Sequence, residues 1–320
     1  MKYEIDKELL VELNGDRQNI RIRAAQKGLP VLLFIHGGPG VCNRHSVMGD
    51  LSGLADTFTM VCWDQRLSGK SYRKLNKGET ICVDDYVNDA RALTEYLRAE
   101  FGGDIYVAGH SWGSIIGLLL ITRYPDGIKA YIGQGQFVNG TLNEKLSYEF
   151  CLAEAKKAGD KKALKKLAGG APVAGQYPTQ KAMMTQRDYL TRFGGADYNH
   201  RCGMIKSLLI PLLKSPEYSL ADIAKYAKGG MYLSRVLWPE VVSYEFDKTV
   251  TEVSVPVIIT QGRYDYNTPS ELAKQWFDNL KAPYKRWIWF ENSAHGPMRE
   301  EPDLWVETVK KEAERLNGQN

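Results

Sequence analysis

Apolar positions along this chain recur with two periods. Near the start, "LLVEL" (9–13) and "NIRIRA" (19–24) alternate apolar and polar residues, which predicts strands with one wet face. "VLLFIH" (31–36) and "TFTMVCW" (57–63) are instead unbroken apolar runs, the mark of strands buried on both faces. From 82 to 103 the period lengthens. Val83, Tyr86, Val87, Ala90, Leu93, Leu97 and Phe101 fall three or four apart, and Gly-Gly closes the run. That spacing predicts an amphipathic helix with a glycine stop. The alternation continues with the strand "DIYVAG" (104–109), the buried helix "SIIGLLLITRY" (114–124) and the strand "KAYIGQG" (129–135). It resumes at "VPVIITQG" (255–262) and ends with the strand "YKRWIWF" (284–290) and the helix "PDLWVETVKKEAERLNG" (302–318). A helix opening at "TPSE" is expected to use Thr268 as N-cap, Pro269 as its first residue and Glu271 as the reciprocal capping partner.

Strands alternating with helices imply a parallel sheet covered on both faces. Between about 138 and 250 the pattern breaks: the chain is rich in Lys, Ala and Gly, helical in period, and without buried-strand runs. The expected organisation is an α/β core formed by 1–137 and 251–320, carrying a helical insertion at 138–250.

Composition changes this picture little. A length of 320 residues, 43% hydrophobic and 25% charged, is that of an ordinary globular protein. The excess of basic over acidic residues is 42 − 38 = 4, with no compact Lys/Arg block, so no nucleic-acid partner is expected. "KKAGDKKALKK" (156–166) reads as a solvated helix face. "MKYEIDKELL" has acids at 4 and 6 and no apolar core, so no secretory signal is expected; without a run of 18 apolar residues, neither is a membrane span. Five cysteines at unpaired spacings fit a reduced, cytoplasmic protein.

The candidate chemistry begins at "GHSWG" (109–113), a G-x-S-x-G pattern set between a predicted strand and a predicted helix. A tight turn there would hold Ser111 Oγ exposed at the C-terminal edge of the sheet. A serine hydroxyl needs a base. Of the histidines at 36, 45, 110, 200 and 295, His295 lies in "ENSAHGP" after the last strand, at the same edge. Asp265 in "QGRYDYNTP" follows the preceding strand and is the expected orienting carboxylate; Glu291 competes for that role. Acyl transfer also needs pre-aimed N–H donors. The glycine-rich "HGGPG" (36–40) lets backbone approach a reacting oxygen, so Gly38, with Gly37 as alternative, and the amide of Trp112 are the assigned donors. No His/Cys/Asp cluster has metal-ligand spacing and no G-x-G-x-x-G pattern occurs, so neither metal nor nucleotide cofactor is expected.

In order, "HGGPG", "WDQRLSGKS", "GHSWGS", "GRYDYNTP" and "AHGP" resemble the proline iminopeptidase branch of the α/β-hydrolases, whose triad order Ser, Asp, His they keep. The resemblance covers roughly 25–137 and 250–315, and implies an eight-stranded, mostly parallel sheet with a helical cap over the active site. Asp64 and Arg66 match the family's Asp-Gln-Arg turn and are taken as structural capping and ion-pair residues. Leu67 stands where the family usually has glycine, and Val41 and Cys42 replace glycines after "HGGPG". The family's Trp-Glu and Ile-Glu-Asn contexts, which carry its amine-holding glutamates, are absent from 138–250.

The expected activity is therefore hydrolysis of a small ester or amide through an acyl-enzyme, on a small-molecule or short peptide substrate. A proline iminopeptidase is the second reading, and a binding protein on a hydrolase scaffold the third. An amine-recognising site must bury a carboxylate. The candidates are Glu144, Glu149, Glu154, Glu217, Glu240 and Glu245, with Tyr232, Trp238 and Tyr244 gathered around the last two, so "LWPEVVSYEF" is the expected pocket wall. Most of these glutamates are expected to face solvent, which favours neutral esters over prolyl arylamides.

Overall fold

The computed structural model describes residues 2–199 and 201–318. Its strands are β1 (Ile5–Leu13), β2 (Asp16–Ala24), β3 (Val31–Ile35), β4 (Thr59–Asp64), β5 (Ile105–His110), β6 (Ile128–Gln134), β7 (Val257–Gly262) and β8 (Lys285–Phe290). They form one sheet in the order β1-β2-β4-β3-β5-β6-β7-β8. β1 and β2 pair antiparallel through a turn at Asn14–Gly15, where φ is 48° and 76°; two left-handed residues match the twist of a hairpin. β2 also runs antiparallel to β4, and every other neighbouring pair is parallel.

The helices are α1 (Arg44–Gly49), α2 (Val83–Phe101), α3 (Trp112–Arg123), α4 (Gly140–Lys157), α5 (Lys161–Leu167), α6 (Gln180–Arg192), α7 (Met204–Lys214), α8 (Leu220–Val241), α9 (Phe246–Thr249), α10 (Ser270–Asn279), α11 (Pro297–Glu300) and α12 (Pro302–Asn317). The glycine stop of α2 is present: Gly102 takes φ 74°. Successive residues of the central strands face opposite ways. Leu33, Ile35, Val61, Val107 and Ile259 pack with Tyr86, Leu93 and Ile115 of α2 and α3. Leu32, Phe34, Met60, Ile132 and Ile258 pack on the other side with Val47, Trp305 and Val309 of α1 and α12. Unbroken apolar runs were needed because both faces of β3 and β4 are covered.

Between β6 and β7 lie α4 to α9 and, among the described residues, no strand. The two ends of this helical segment are stitched together by Phe246 N–H to Val138 O (2.7 Å) and Gly140 N–H to Tyr244 O (3.0 Å). It touches the α/β part where Tyr218 donates to Asp64 Oδ1 (2.7 Å). It does so again where backbone meets backbone: a Cβ on Gly40 would lie 2.9 Å from Gly230 Cα, and one on Gly229 2.3 Å from Leu67 O. Leu67 itself holds φ 59°, a conformation that the glycine of the resembled family would adopt without strain. Arg66 makes the expected ion pair, a fork onto Asp89 at 2.9 Å for both bonds. All five cysteines are unpaired. No described helix is long and apolar enough to cross a membrane.

One local expectation fails. The capping box at Thr268 does not form: α10 begins at Ser270, and the Thr268 hydroxyl donates to Asp265 Oδ2 at 2.8 Å instead. A buried carboxylate with unfilled lone pairs outbids a helix end that backbone can cap. Ser270 N–H reaches Asp265 O at 3.0 Å.

Candidate active site

Ser111 sits between β5 and α3 with φ 55° and ψ −118°, a strained conformation for a residue with a Cβ, of the sort that costs about 1–3 kcal/mol. The glycines around it are required by space. A Cβ on Gly113 would lie 2.0 Å from Ile35 O, and one on Gly109 2.5 Å from Gly113 O, so strand, turn and helix can only meet this closely without side chains. The turn is pinned on both sides: Ser111 N–H donates to Gln134 O (2.9 Å), and Ser114 Oγ donates to Ser111 O (2.6 Å).

Asp265 and His295 meet as the sequence suggests, with Nδ1 and Oδ2 2.9 Å apart. Asp265 is 1% exposed and its carboxylate is saturated. Oδ1 accepts from the amides of Asn267 (2.8 Å) and Thr268 (2.9 Å). Oδ2 accepts from Thr268 Oγ1 (2.8 Å), Gln261 Nε2 (3.0 Å) and His295. An acceptor-only partner places the imidazole proton on Nδ1 and leaves the Nε2 lone pair as the basic site. The His295 ring packs on Gly135, where a Cβ would lie 2.8 Å from its Nδ1. Gln134, the neighbour of Gly135, accepts the Ser111 amide, so serine and histidine share the end of β6.

The competitors are occupied elsewhere. Glu291 is exposed and forms a fork with Arg263 (2.9 and 2.7 Å). His110 turns its Nε2 to His295 O at 2.9 Å, and its ring lies 4.8 Å from that of His295. Burial, then the neighbouring His295, lowers its pKa to about 3. His36 is buried, and desolvation lowers its pKa to about 4. His45 is likewise lowered to about 4, by burial and then Arg299. His200 lies outside the described residues.

The glycine loop lies against the serine. A Cβ on Gly37 would sit 3.3 Å from Ser111 Cβ, and Gly38 holds φ 132°, a value that needs glycine. Trp112 is the first residue of α3, where a helix has no internal acceptor for the amide. Gln65, which the sequence reading passes over, joins the two segments. Its Oε1 accepts from Trp112 Nε1 (2.8 Å) while its Nε2 donates to His36 O (3.0 Å). Its only signal was its place inside "WDQRLSG".

The glutamates of the expected pocket wall are each engaged by other groups. Glu240 accepts from the Val83 amide at the start of α2 (2.9 Å) and from Tyr244 OH (3.4 Å). Glu245 is half-exposed and pairs with Lys248 (2.8 Å). Tyr244 stacks on Phe246 at 5.1 Å, and Tyr232 and Trp238 pack against the main core. Of the other candidates, Glu149 and Glu154 pair with Lys145 and Lys157, and Glu217 with Arg21 and Arg23. Glu144 alone is fully buried, and both its oxygens take Arg187 Nη2 (2.8 and 2.7 Å). The Arg187 guanidinium lies 5.5 Å from the Trp238 ring and 5.8 Å from that of Tyr177.

Comparison with known proteins bears on the family and the fold. A family model described as alpha/beta hydrolase fold matches residues 30–158. A protein of Bacillus subtilis (strain 168) named probable aminopeptidase YbaC is 33% identical over 306 residues, covering 95% of each chain. The chain therefore belongs to the α/β-hydrolase family, in its proline iminopeptidase-like branch. A proline iminopeptidase of Lactobacillus acidophilus is 24% identical over 310 residues, 93% of this chain and 94% of its own. Among solved structures, the proline iminopeptidase of Mycobacterium smegmatis superposes with a TM-score of 0.65 at 16% identity, over 97% of this chain and 98% of its own. VinJ gives 0.66 at 18% identity, over 97% and 99%. At these identities the structures speak for the fold.

Proposed function

We propose that this hydrolase works through an acyl-enzyme on Ser111, with His295 as base, Asp265 as its orienting carboxylate, and the amides of Gly38 and Trp112 as oxyanion donors. The observation that carries the reading is the saturated Asp265 carboxylate holding His295 Nδ1 at 2.9 Å, with a serine on a strained strand–helix turn tied to the same end of β6 that the histidine ring packs on. Ser111 Oγ attacks the substrate carbonyl as His295 Nε2 takes its proton. The carbonyl electrons move onto oxygen, where the two amides meet the charge. On collapse the bond to the leaving alkoxide or amide breaks, and His295 returns the proton to that group. Water then repeats the sequence and frees the acid.

The acyl group is that of a small neutral ester or amide. A substrate ammonium would need a buried carboxylate with charge to spare, since an unpaired buried charge costs several kcal/mol. All six glutamates that the sequence offered have other partners, and Glu144 is neutralised by Arg187. The helical segment between β6 and β7 is the cap that shapes the pocket, and five unpaired cysteines favour the cytoplasm. Aminopeptidase action is the second reading, favoured by the names of relatives that match nearly the whole chain.

A fluorophosphonate should label Ser111 alone, and Ser111→Ala should lower turnover about 10⁴-fold or more without loss of fold. A mutant keeping more than about a hundredth of the rate removes Ser111 from the role. A panel of aryl esters, lactones and prolyl arylamides separates the two substrate readings.

A further inference from the structure

The loop that carries His295 is held by two carboxylates: Glu301 Oε2 accepts from the Asn292 amide (3.1 Å) and Ser293 Oγ (2.6 Å), and Glu300 holds the residues next to His295. Glu300 Oε1 accepts from the amides of Ala294 (3.0 Å) and Gly296 (3.2 Å), the two residues that flank His295. Its other oxygen, Oε2, accepts from the Tyr198 amide (2.6 Å) in the loop after α6. The same loop is fastened at several further points. Arg299 pairs with Asp197 (2.8 Å), Tyr266 N–H donates to Gly195 O (2.9 Å), and the Tyr198 ring stacks on Tyr264 at 4.4 Å. Tyr264 and Tyr266 flank Asp265. Residues 195–198 of the helical segment thus grip the loop of the acid with one set of contacts and the loop of the base with another.

We propose that Glu300 is a positioning residue for His295, and that through it the docked 195–198 loop sets the alignment of the Asp265–His295 pair. This rests on the reading of His295 as the base. Two amides on one oxygen fix the backbone on both sides of His295, so the Cα that carries the ring cannot shift relative to Asp265 without breaking one of them. Ion pairing alone would not need this arrangement, because Glu300 has no cationic partner within its three bonds. Burial, and then the neighbouring Asp197, push the Glu300 carboxyl up, and the three amides oppose that shift. The anion is held by directed backbone donors, a geometry that transmits position rather than charge. The helical segment then has a task besides covering the substrate. It completes the base, and a chain with that loop undocked would keep Ser111 and lose its partner.

The test is Glu300→Gln, which turns one acceptor oxygen into a donor facing an N–H. Its readouts are steady-state kinetics on an aryl ester, the rate of fluorophosphonate labelling, and the downfield proton NMR signal of His295 Nδ1–H bonded to Asp265. We expect kcat and labelling to fall about ten- to a hundredfold, with KM changed less than about threefold and the NMR signal shifted or broadened; a tenfold change corresponds to about 1.4 kcal/mol. Glu300→Asp, which keeps an anion, should recover part of the rate. Should Glu300→Gln fail to fold, Tyr264→Leu removes the exposed stack on Tyr198 and should move kcat and the NMR signal the same way by a smaller factor. A folded Glu300→Gln with wild-type kcat and an unmoved signal overturns the inference, as does a lowered Tm with both readouts intact. The NMR signal needs no turnover. Wild type that resists labelling at Ser111 therefore sinks the reaction proposed above, while the response of that signal still decides the role of Glu300.

Discussion

Replacing Asp265 by asparagine should inactivate the protein by choosing the wrong imidazole tautomer. The new side chain has one donor end and must point it somewhere. Toward the Oδ1 position it would face the amides of Asn267 and Thr268, two donors that cannot reverse. Toward the Oδ2 position it would face Gln261 Nε2, Thr268 Oγ1 and His295 Nδ1. The threonine hydroxyl can rotate and the imidazole can change tautomer. Only Gln261 cannot adapt, because the Gln136 amide (3.1 Å) fixes its oxygen. One frustrated donor is cheaper than two, so asparagine settles with its NH₂ toward His295. The imidazole proton is driven to Nε2, where the base should be. One buried unmatched donor costs about 1–3 kcal/mol of stability. The tautomer costs far more in rate: about 10³- to 10⁴-fold in kcat, equivalent to roughly 4–5.5 kcal/mol in the barrier. Burst and steady-state kinetics on an aryl ester, with urea melts alongside, measure both. An Asn variant that keeps more than about a tenth of wild-type kcat would refute the tautomer argument.

Three further outcomes are expected. Gln65→Leu breaks the link between Trp112 and His36 and strands a buried indole N–H, so kcat on the same ester should fall about tenfold with a lowered Tm. Glu240→Gln and Glu245→Gln should change ester turnover by less than about tenfold, and efficient prolyl arylamide cleavage that collapses in either would restore them to the pocket. Stability should fall with acid: His36, His45 and His110 have pKa values lowered to about 4, 4 and 3, against about 6.5 in the unfolded chain. The unfolded state then takes up protons first, so the stability is whole above about pH 6.5 and is lost as pH falls toward 4, by up to roughly 5 kcal/mol between pH 7 and 5. Urea melts at the two pH values measure it, and His36→Gln should flatten the slope by about one proton.

The sheet and the placement of the candidate serine, aspartate and histidine were legible for the same reason. Each depends on a short stretch whose residue types admit few structures. A run such as "VLLFI", short and bounded by turn residues, reads as a buried strand, and Ser111, Asp265 and His295 each lie in the turn or loop that follows a predicted strand. What stayed hidden depends on contacts between stretches far apart in sequence. Glu300 binds amides beside His295 and at Tyr198, 102 residues away, and backbone amides carry no sequence signature. Gln65 was hidden in the same way, since its partners are an indole and a carbonyl on other elements. Thr268 was misread for a related reason. The local rule offered it a helix end, and the tertiary structure offered it a buried anion.

The glutamates of the helical segment show how such non-local pairing bears on substrate. Sequence proximity to aromatic residues favoured Glu240 and Glu245, yet Glu240 is spent on the first turn of α2 and Glu245 on Lys248. Among these glutamates the buried one is Glu144, at the other end of the segment, and α6 supplies Arg187 to cancel it. If Arg187 is what keeps a substrate ammonium out, removing it should create the need for one. Arg187→Met would leave the Glu144 carboxylate buried with no cation, held by Asn143 Nδ2 (3.0 Å) and beside the Tyr177 hydroxyl. An uncompensated buried carboxylate is destabilising by about 3–5 kcal/mol, and a bound ammonium could return part of that. The variant should therefore be less stable than wild type, and prolyl arylamides should gain on neutral esters by tenfold or so in kcat/KM, about 1.4 kcal/mol. A loss of stability with an unchanged preference would show that Glu144 lies out of reach of the substrate. The limit on amine substrates would then have to come from the shape of the pocket.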